Sequence, residues 1–452
     1  MIKVIYSIAN NSNIFEKLSL ILLFLLPLAL NVSILISELF SALIGIFALV
    51  WLIKNQQNYQ ILKNIRIPLY TILLFYLIIL ISLAFSQNFN KSFLPSFFYF
   101  RYLLLSLAIF ILIYKFQQTL KIILASLLLL LFLIVIDGIF EIMKINNIFG
   151  LRLEEYRYKF GQHFYLTGFF GEEKKLGSFL IRLCPLILSL IIFLDFKIFK
   201  KFDIKIPIVI IIGSLIFLSS ERVALFLFIL LLIFLFFIFK RKLLLFFYSF
   251  LTLALIAIAQ PQLIQKYVYD TLAQFEFLNT YQMYEEEDGS KRRKKIIENL
   301  DFSNFKYFSE EHEKLIKSGI IIFKENIFTG IGLKNYHRYC KNIKEERSLD
   351  IKCSSHPHNT YIQIFLDIGI FGGFLIIFVF LYIMRLNLKI LFIKNPSAEV
   401  KSLYVLNLAI IINLMPFIPS GSFFNNWINL MLYFPLGTWF YLFHYIKKNK
   451  KL

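Results

Sequence analysis

The feature that most constrains this chain is a succession of apolar runs, most of them about as long as a bilayer core is thick. A transmembrane helix needs ~20 apolar residues, with ~17–25 as the usual range. Runs of this kind lie at about 17–31, 32–53, 67–85, 94–114, 121–140, 176–194, 206–218, 223–239, 243–259, 362–384, 402–418 and 427–446. The expected fold is therefore all-α: a polytopic membrane protein with about 12 transmembrane helices. Composition agrees, since 59% of the 452 residues are apolar and 17% are charged, against ~45–50% and ~25% in soluble domains. That balance excludes an ordinary cytosolic enzyme, a disordered chain and a nucleic-acid reader. The run at 17–31 is read as a span rather than a signal peptide. No small-x-small site follows it, and Asn31 leads straight into the next run.

Lys and Arg sort the loops. With the N-terminus inside, the short cytoplasmic loops collect Lys54, Lys63, Arg66, Lys115, Lys121, Lys197, Lys200, Lys201, Lys205, Lys240, Arg241, Lys242, Arg385, Lys389, Lys394 and Lys401, and the tail adds Lys447, Lys448, Lys450 and Lys451. The short outer loops hold only Lys91 and Arg222. Both termini are expected in the cytoplasm, and the net charge of +20 is a topology signal rather than a nucleic-acid footprint. Three parts follow: an N-terminal bundle of about nine helices over 1–259 with an outer loop at 141–175, a large outer loop at 260–361, and C-terminal helices over 362–452. The large loop is nearly neutral, with 16 Lys/Arg against 15 Asp/Glu. His163, His312, His337, His356 and His358 fall on the outer side, and only His444 does not. Chemistry is therefore expected on the non-cytoplasmic face.

Within the large loop, Glu-Glu-Glu-Asp-Gly-Ser-Lys-Arg-Arg-Lys-Lys at 285–295 reads as a solvated tip or a self-paired hairpin. Residues 311–325 place Leu315, Ile316, Ile320 and Phe323 near helical spacing, predicting an amphipathic helix on the outer membrane surface. Phe328-Thr329-Gly330-Ile331-Gly332 is a turn where backbone approaches something closely. Cys340 and Cys353 are candidates for a disulfide in an oxidising exterior, whereas Cys184, inside a span, is an inert small apolar residue.

The densest information is Ser354-Ser355-His356-Pro357-His358-Asn359-Thr360-Tyr361-Ile362-Gln363, at the mouth of the tenth span. Pro357 stops any preceding helix, and Asn359 or Thr360 caps the next. Zinc is the rival chemistry, but a third ligand is missing and the spacing is not that of two His on one helix face. Arg182 lies about six residues into its span, where a cation costs at least ~2.5–3.5 kcal/mol and needs an anionic partner. Arg222 opens the eighth span, next to Glu221. Asp137, Glu141 and Asp367 are candidate partners for these cations, and Asp367 is also a candidate carboxylate behind a His. A transferase outside the cell membrane has no ATP and must use a donor that carries its own energy, such as a sugar on a lipid pyrophosphate. Arg suits the diphosphate leaving group, and His suits a general base for a hydroxyl. No D-x-D pair accompanies the His loop, so no metal and no cofactor are expected.

These residues resemble a known family. Phe328-Thr329-Gly330-Ile331-Gly332-Leu333-Lys334-Asn335-Tyr336, then Cys353 through Gln363, then Gly369-Ile370-Phe371-Gly372 look like the run of the O-antigen ligase/O-antigen polymerase family of bacterial membrane glycosyltransferases. Gly168-Phe169-Phe170-Gly171-Glu172-Glu173 and Leu176-Gly177-Ser178-Phe179 also look like family positions. Ser220-Glu221-Arg222 is similar to the family's Ser-Arg signature with Glu221 as an extra residue, and Asp367 stands where the family often has Glu. The resemblance implies a glycosyltransferase C-like fold with one large periplasmic loop in the bacterial inner membrane. It implies an undecaprenyl-pyrophosphate-linked glycan donor, an acceptor that is lipid A-core (ligase) or the growing glycan (polymerase), no metal, and inversion at the anomeric carbon. It also implies His358 as general base and Arg222 as a pyrophosphate ligand, with Arg182 beside it and His356, Asn359, Gln363 and Asp367 in support. The rival from another class is a lipid or polysaccharide transporter, for which an internal repeat and paired broken helices would be the sign; no convincing repeat relates 17–194 to 206–446.

Overall fold

A computed structural model describes residues 13–143, 165–171, 173–197, 203–239, 241–264, 267–268, 271, 278–285, 291–300 and 309–449. The helices, in chain order, are α1 (Ile14–Val32), α2 (Ile34–Lys54), α3 (Arg66–Ala84), α4 (Phe89–Phe97), α5 (Phe100–Lys115), α6 (Thr119–Ile142), α7 (Leu176–Phe193), α8 (Lys205–Leu218), α9 (Arg222–Ile238), α10 (Lys242–Ala259), α11 (Glu310–Glu325), α12 (Tyr336–Arg347), α13 (Thr360–Leu391), α14 (Ala398–Asn413) and α15 (Asn426–Lys448). Among the described residues, eight helical segments are long and apolar enough to cross a membrane. The protein is therefore built as a membrane-embedded helical bundle. The other four expected spans are helical too, as α8, α9, α14 and α15. The first three run only 14, 17 and 16 residues, and α15, a continuous helix of 23 residues, has its apolar sequence interrupted by Asn429, Pro435, Gly437 and His444.

Packing follows from side-chain chemistry that is apolar nearly all round. One continuous core of Leu, Ile and Phe runs through the bundle. Its centre is the sandwich of α14 against α7 and α15, with α5 packing on α15 and α2, and α13 on α14 and α3. The exposed ring of Leu, Ile and Phe on α2, α3, α9 and α10 is what a lipid-facing surface requires. Among the described residues, the segments flanking the acidic-turn-basic tip depart from the helical rule. β1 (Leu278–Glu285) pairs antiparallel with β2 (Lys291–Leu300), with Glu285 opposite Lys291 and Tyr284 opposite Arg292. The 286–290 tip and His163 lie outside the described residues.

The helix expected on the membrane surface instead docks on the bundle. α11 buries Leu315, Ser318, Gly319 and Ile322 against α13, while Ile320 stays exposed. Gly319 makes the crossing close, since a Cβ there would stand 2.5 Å from Ile362 Cγ2. A small separate core of Ile322, Ile331, Tyr336, Cys340, Ile343, Ile351 and Leu366 joins α11, α12 and α13.

The Gly-containing turn explains how this cap is fastened. α13 is broken at Gly369, which sits at φ 77°, ψ −174°. The break frees helix backbone groups, and the turn takes them up. Ile331 N–H donates to Leu366 O (2.9 Å), Gly332 N–H donates to Asp367 O (3.0 Å), and Ile370 N–H donates to Ile327 O (2.8 Å). Ser82 Oγ of α3 adds a second bond to Asp367 O (2.7 Å). Any Cβ at Gly369 would lie 2.1 Å from Phe328 O, and one at Gly330 would lie 2.5 Å from the Asp367 carbonyl carbon. Gly369→Ala is therefore expected to lower the unfolding temperature of the detergent-solubilised protein. The strained backbone alone should cost about 1–3 kcal/mol. An unchanged unfolding temperature would mean that the two backbones are not locked together.

Candidate functional site

The His-Pro-His turn sits where α11, α12, α13 and the segment between α14 and α15 meet. Asn359 caps α13, its Oδ1 accepting from Tyr361 N (3.0 Å) and Ile362 N (3.1 Å). His358, one residue earlier, is held at φ 54°, a conformation uncommon outside glycine. Ser420 clamps the turn from the far side: its N–H donates to His358 O (2.9 Å), and its carbonyl lies 3.2 Å from His356 Nε2. Ser355 Oγ lies 2.9 Å from His356 Nδ1, so both nitrogens of that ring are engaged. Cys340 and Cys353 are joined, with Cα atoms 5.7 Å apart, which ties α12 to the start of the turn. Cys184 is free and buried.

His358 is flanked by imidazoles. His356 stacks on it with centroids 4.1 Å apart, and His312, from the first turn of α11, meets it edge-on at 5.8 Å. Stacked rings do not aim their nitrogens at one point, and among the described residues no group of three His, Cys, Asp or Glu is arranged as metal ligands. Half-buried His358 is pushed down to about 4, first by burial and then by its neighbours His356, His312 and Lys352, which disfavour a further proton there. Burial also lowers His356 and His312, and Arg222 adds to the lowering at His312. His358 is thus a neutral imidazole at physiological pH, with Ser354 Oγ 3.4 Å from its Nε2.

On the other side of His356 opens a cavity of about 690 Å³. Its cations are Lys91, Lys174, Lys175, Lys334 and Arg182, and Asp367 is the only carboxylate among its lining residues. Lys175 is paired with Glu173, and Lys174 lies over the Tyr165 ring at 3.8 Å. Arg182 is buried, yet its hydrogen bonds go to neutral oxygens: Nε to Asn413 Oδ1 (3.0 Å) and Nη1 to Ser178 O (2.8 Å). Trp427 lies 5.7 Å from the guanidinium and is backed by Phe179 and Phe170. A deep cation with neutral partners, ringed by lysines, is suited to a polyanion such as a diphosphate.

Several expectations need correction. Arg182 was expected to have an anionic partner: the Glu221 carboxylate acts on it through space, while its hydrogen bonds go to Asn413 and Ser178. Asp367 was a candidate carboxylate behind a His, but its Oδ2 is held by Gln363 Nε2 (3.1 Å). Gln363 in turn is fixed by Ser422 Oγ (2.9 Å) and by Phe423 N–H (2.8 Å). Glu141 accepts from Thr167 N (3.0 Å) and Thr167 Oγ1 (3.1 Å), so it shapes the turn at Gly168. Glu221 is more than an extra residue beside Arg222. Its carboxylate accepts from Gly177 N (2.6 Å), Ser178 N (3.1 Å) and Ser178 Oγ (2.6 Å), capping α7 from another helix, where negative charge is favoured. Gly177 is needed for that approach, since a Cβ would lie 2.5 Å from Ser219 Oγ.

The structure brings His356, Arg182, Gln363 and Asp367 to one cavity. His358 stands behind His356, and Arg222 is near enough to His312 to influence its proton. Neither His358 nor Arg222 lines the cavity itself. Sequence reasoning missed His312, Lys334, Trp427 and the Ser420–Ser422 clamp as site residues. Lys91 carried a signal, being one of two basic residues in short outer loops, and Lys334 lies inside the Gly-rich run.

Comparison with known protein families finds that residues 207–377 match the family model described as O-antigen ligase, Wzy_C. This match spans the helices from α8 into α13 and supports the O-antigen ligase/polymerase family. A search of curated proteins found no match. Glu221→Ala is expected to destabilise the protein by about 1 kcal/mol, in the range of lost helix caps, whereas Glu221→Gln, which keeps an acceptor oxygen, should recover most of it. Thermal unfolding of both variants tests this, and equal stability of Glu221→Ala and wild type would refute the cap.

Proposed function

We propose that this chain, whose residues 207–377 match the O-antigen ligase family model, is an O-antigen ligase-like glycosyltransferase of the bacterial inner membrane. It moves a glycan from undecaprenyl pyrophosphate to a hydroxyl of lipid A-core on the periplasmic face. The carrying observation is the cationic cavity that opens beside stacked neutral imidazoles at the mouth of α13. In the proposed step His358 accepts the proton of the acceptor hydroxyl. The hydroxyl oxygen attacks the anomeric carbon as the bond from that carbon to the pyrophosphate oxygen breaks. The electron pair leaves on the diphosphate, whose charge Arg182, Arg222, Lys91 and Lys334 offset. A single displacement inverts the anomeric centre, and the balance needs no metal. Asn359 and Gln363 hold the mouth of α13 in shape, and His356 buttresses His358.

His358→Ala should lower turnover at least about 100-fold, the usual contribution of a general base, and Arg182→Ala and Arg222→Ala should weaken donor use. Purified protein with a lipid-linked glycan and lipid A-core tests all three; wild-type turnover in any variant removes that residue from its role. The pH dependence has a definite sign. A base depressed to about 4 stays neutral down to low pH, so the acid limb of kcat/KM should fall below the ordinary His value of 6.5. A limb at or above that value would count against His358 as the base. In a deletion strain, undecorated core beside long free polymer indicates a ligase, and core bearing one repeat unit indicates a polymerase.

A further inference from the structure

Two polar atoms of the cavity-lining residues are buried and, among the described residues, without a hydrogen-bond partner: Asp367 Oδ1 and Trp427 Nε1. The side chains are 1% and 7% exposed, so bulk water does not satisfy them, and orphaned buried groups of this kind are uncommon in native proteins. Neither is free to turn away. Asp367 is anchored through Oδ2 to Gln363, which is itself fixed by Ser422 and Phe423. The Trp427 ring lies against Phe179, with centroids 6.2 Å apart, and near the Arg182 guanidinium at 5.7 Å.

The two orphans are complementary in kind. One is a carboxylate acceptor and the other a neutral donor. Neither offers a positive charge, so this pair is distinct from the cations, the lysines and Arg182, that line the same cavity. A ring bearing several hydroxyls fits both, one hydroxyl donating to Asp367 Oδ1 and another accepting from Trp427 Nε1–H. We propose that Asp367 and Trp427 form a subsite for the hexose directly attached to the diphosphate, and that this pair sets which sugar the cavity accepts. The proposal rests on the lipid-diphosphate reading above. Neither residue takes part in bond making, so both act on specificity.

The test uses the full-length protein in nanodiscs, labelled with 5-fluorotryptophan. The three tryptophans, Trp51, Trp427 and Trp439, give three fluorine resonances, assigned with Trp427→Phe, which keeps an aromatic ring at the position and removes the N–H together with the rest of the five-membered ring. The probes are undecaprenyl pyrophosphate alone and the same lipid bearing a single gluco- or galacto-configured hexose. The expected result is that at least one hexose-bearing lipid binds more tightly than the bare diphosphate and shifts the Trp427 resonance, which the bare diphosphate leaves in place. Asp367→Asn and Trp427→Phe should each weaken that hexose-bearing lipid about tenfold, the scale of one hydrogen bond to a charged or buried group, and leave the bare diphosphate unchanged. Equal binding of bare and hexose-bearing lipids, or equal weakening of both by the variants, overturns the subsite while the diphosphate reading stands. Failure of every lipid to bind overturns that reading and the subsite with it.

Discussion

The exchange of backbone hydrogen bonds between the broken helix α13 and the Phe328–Gly332 turn is the contact on which the rest of the site depends. An apolar helix cannot leave carbonyls and N–H groups unpaired at its break without a large penalty. Here the turn supplies the missing partners, and Ser82 of α3 supplies one more. The same contact decides where Lys334 and Asp367 come to lie, because one follows the turn and the other sits on the broken segment. From the opposite side, Ser92 Oγ donates to Leu333 O (2.8 Å) and Asn335 Nδ2 donates to Ser92 Oγ (2.9 Å). That brings the α4 helix carrying Lys91 against the same turn. Two lysines far apart in sequence thereby reach one rim.

A second layer of positioning uses charged groups as mechanical parts. Glu221 holds the start of α7, which carries Ser178 and Arg182 on successive turns. Glu141 holds Thr167 and Gly168, whose turn ends at Phe170, the ring behind Trp427. The disulfide and the Ser420 clamp fix the His-Pro-His turn from two directions. The polar residues of this end of the bundle thus fall into two groups: those that meet the cavity, and those that hold the first group still.

Much of this was legible in the sequence because apolar length is a strong signal. Each expected span coincides with helix over most of its length, and the β1–β2 pairing and the Cys340–Cys353 pair also agree with the chain pattern. The His turn was found because Pro357 and the Asn359 cap leave few alternatives. What was not legible depends on contacts between distant segments. Glu221 looked like an interruption because its partners, Gly177 and Ser178, are more than forty residues away. The buried stripe of α11 was misassigned because its apolar residues were expected to face lipid, whereas Gly319 lets the helix close on Ile362. Arg182 was expected to have an acid beside it because an intramembrane cation is costly, and Glu221 acts on it through space, but its hydrogen bonds go elsewhere. Nothing in the local sequence announces Asn413 as its ligand.

That choice of ligand has an electrical consequence. A guanidinium whose hydrogen bonds go to an amide oxygen and a backbone carbonyl, with the Glu221 carboxylate acting on it only through space, is a fixed positive charge inside a low-permittivity wall. Dissolved salt screens buried charge poorly but screens lysines at an open rim well. Ionic strength therefore divides the positive field of the cavity into a part that electrolyte weakens and a part, centred on Arg182, that it barely touches.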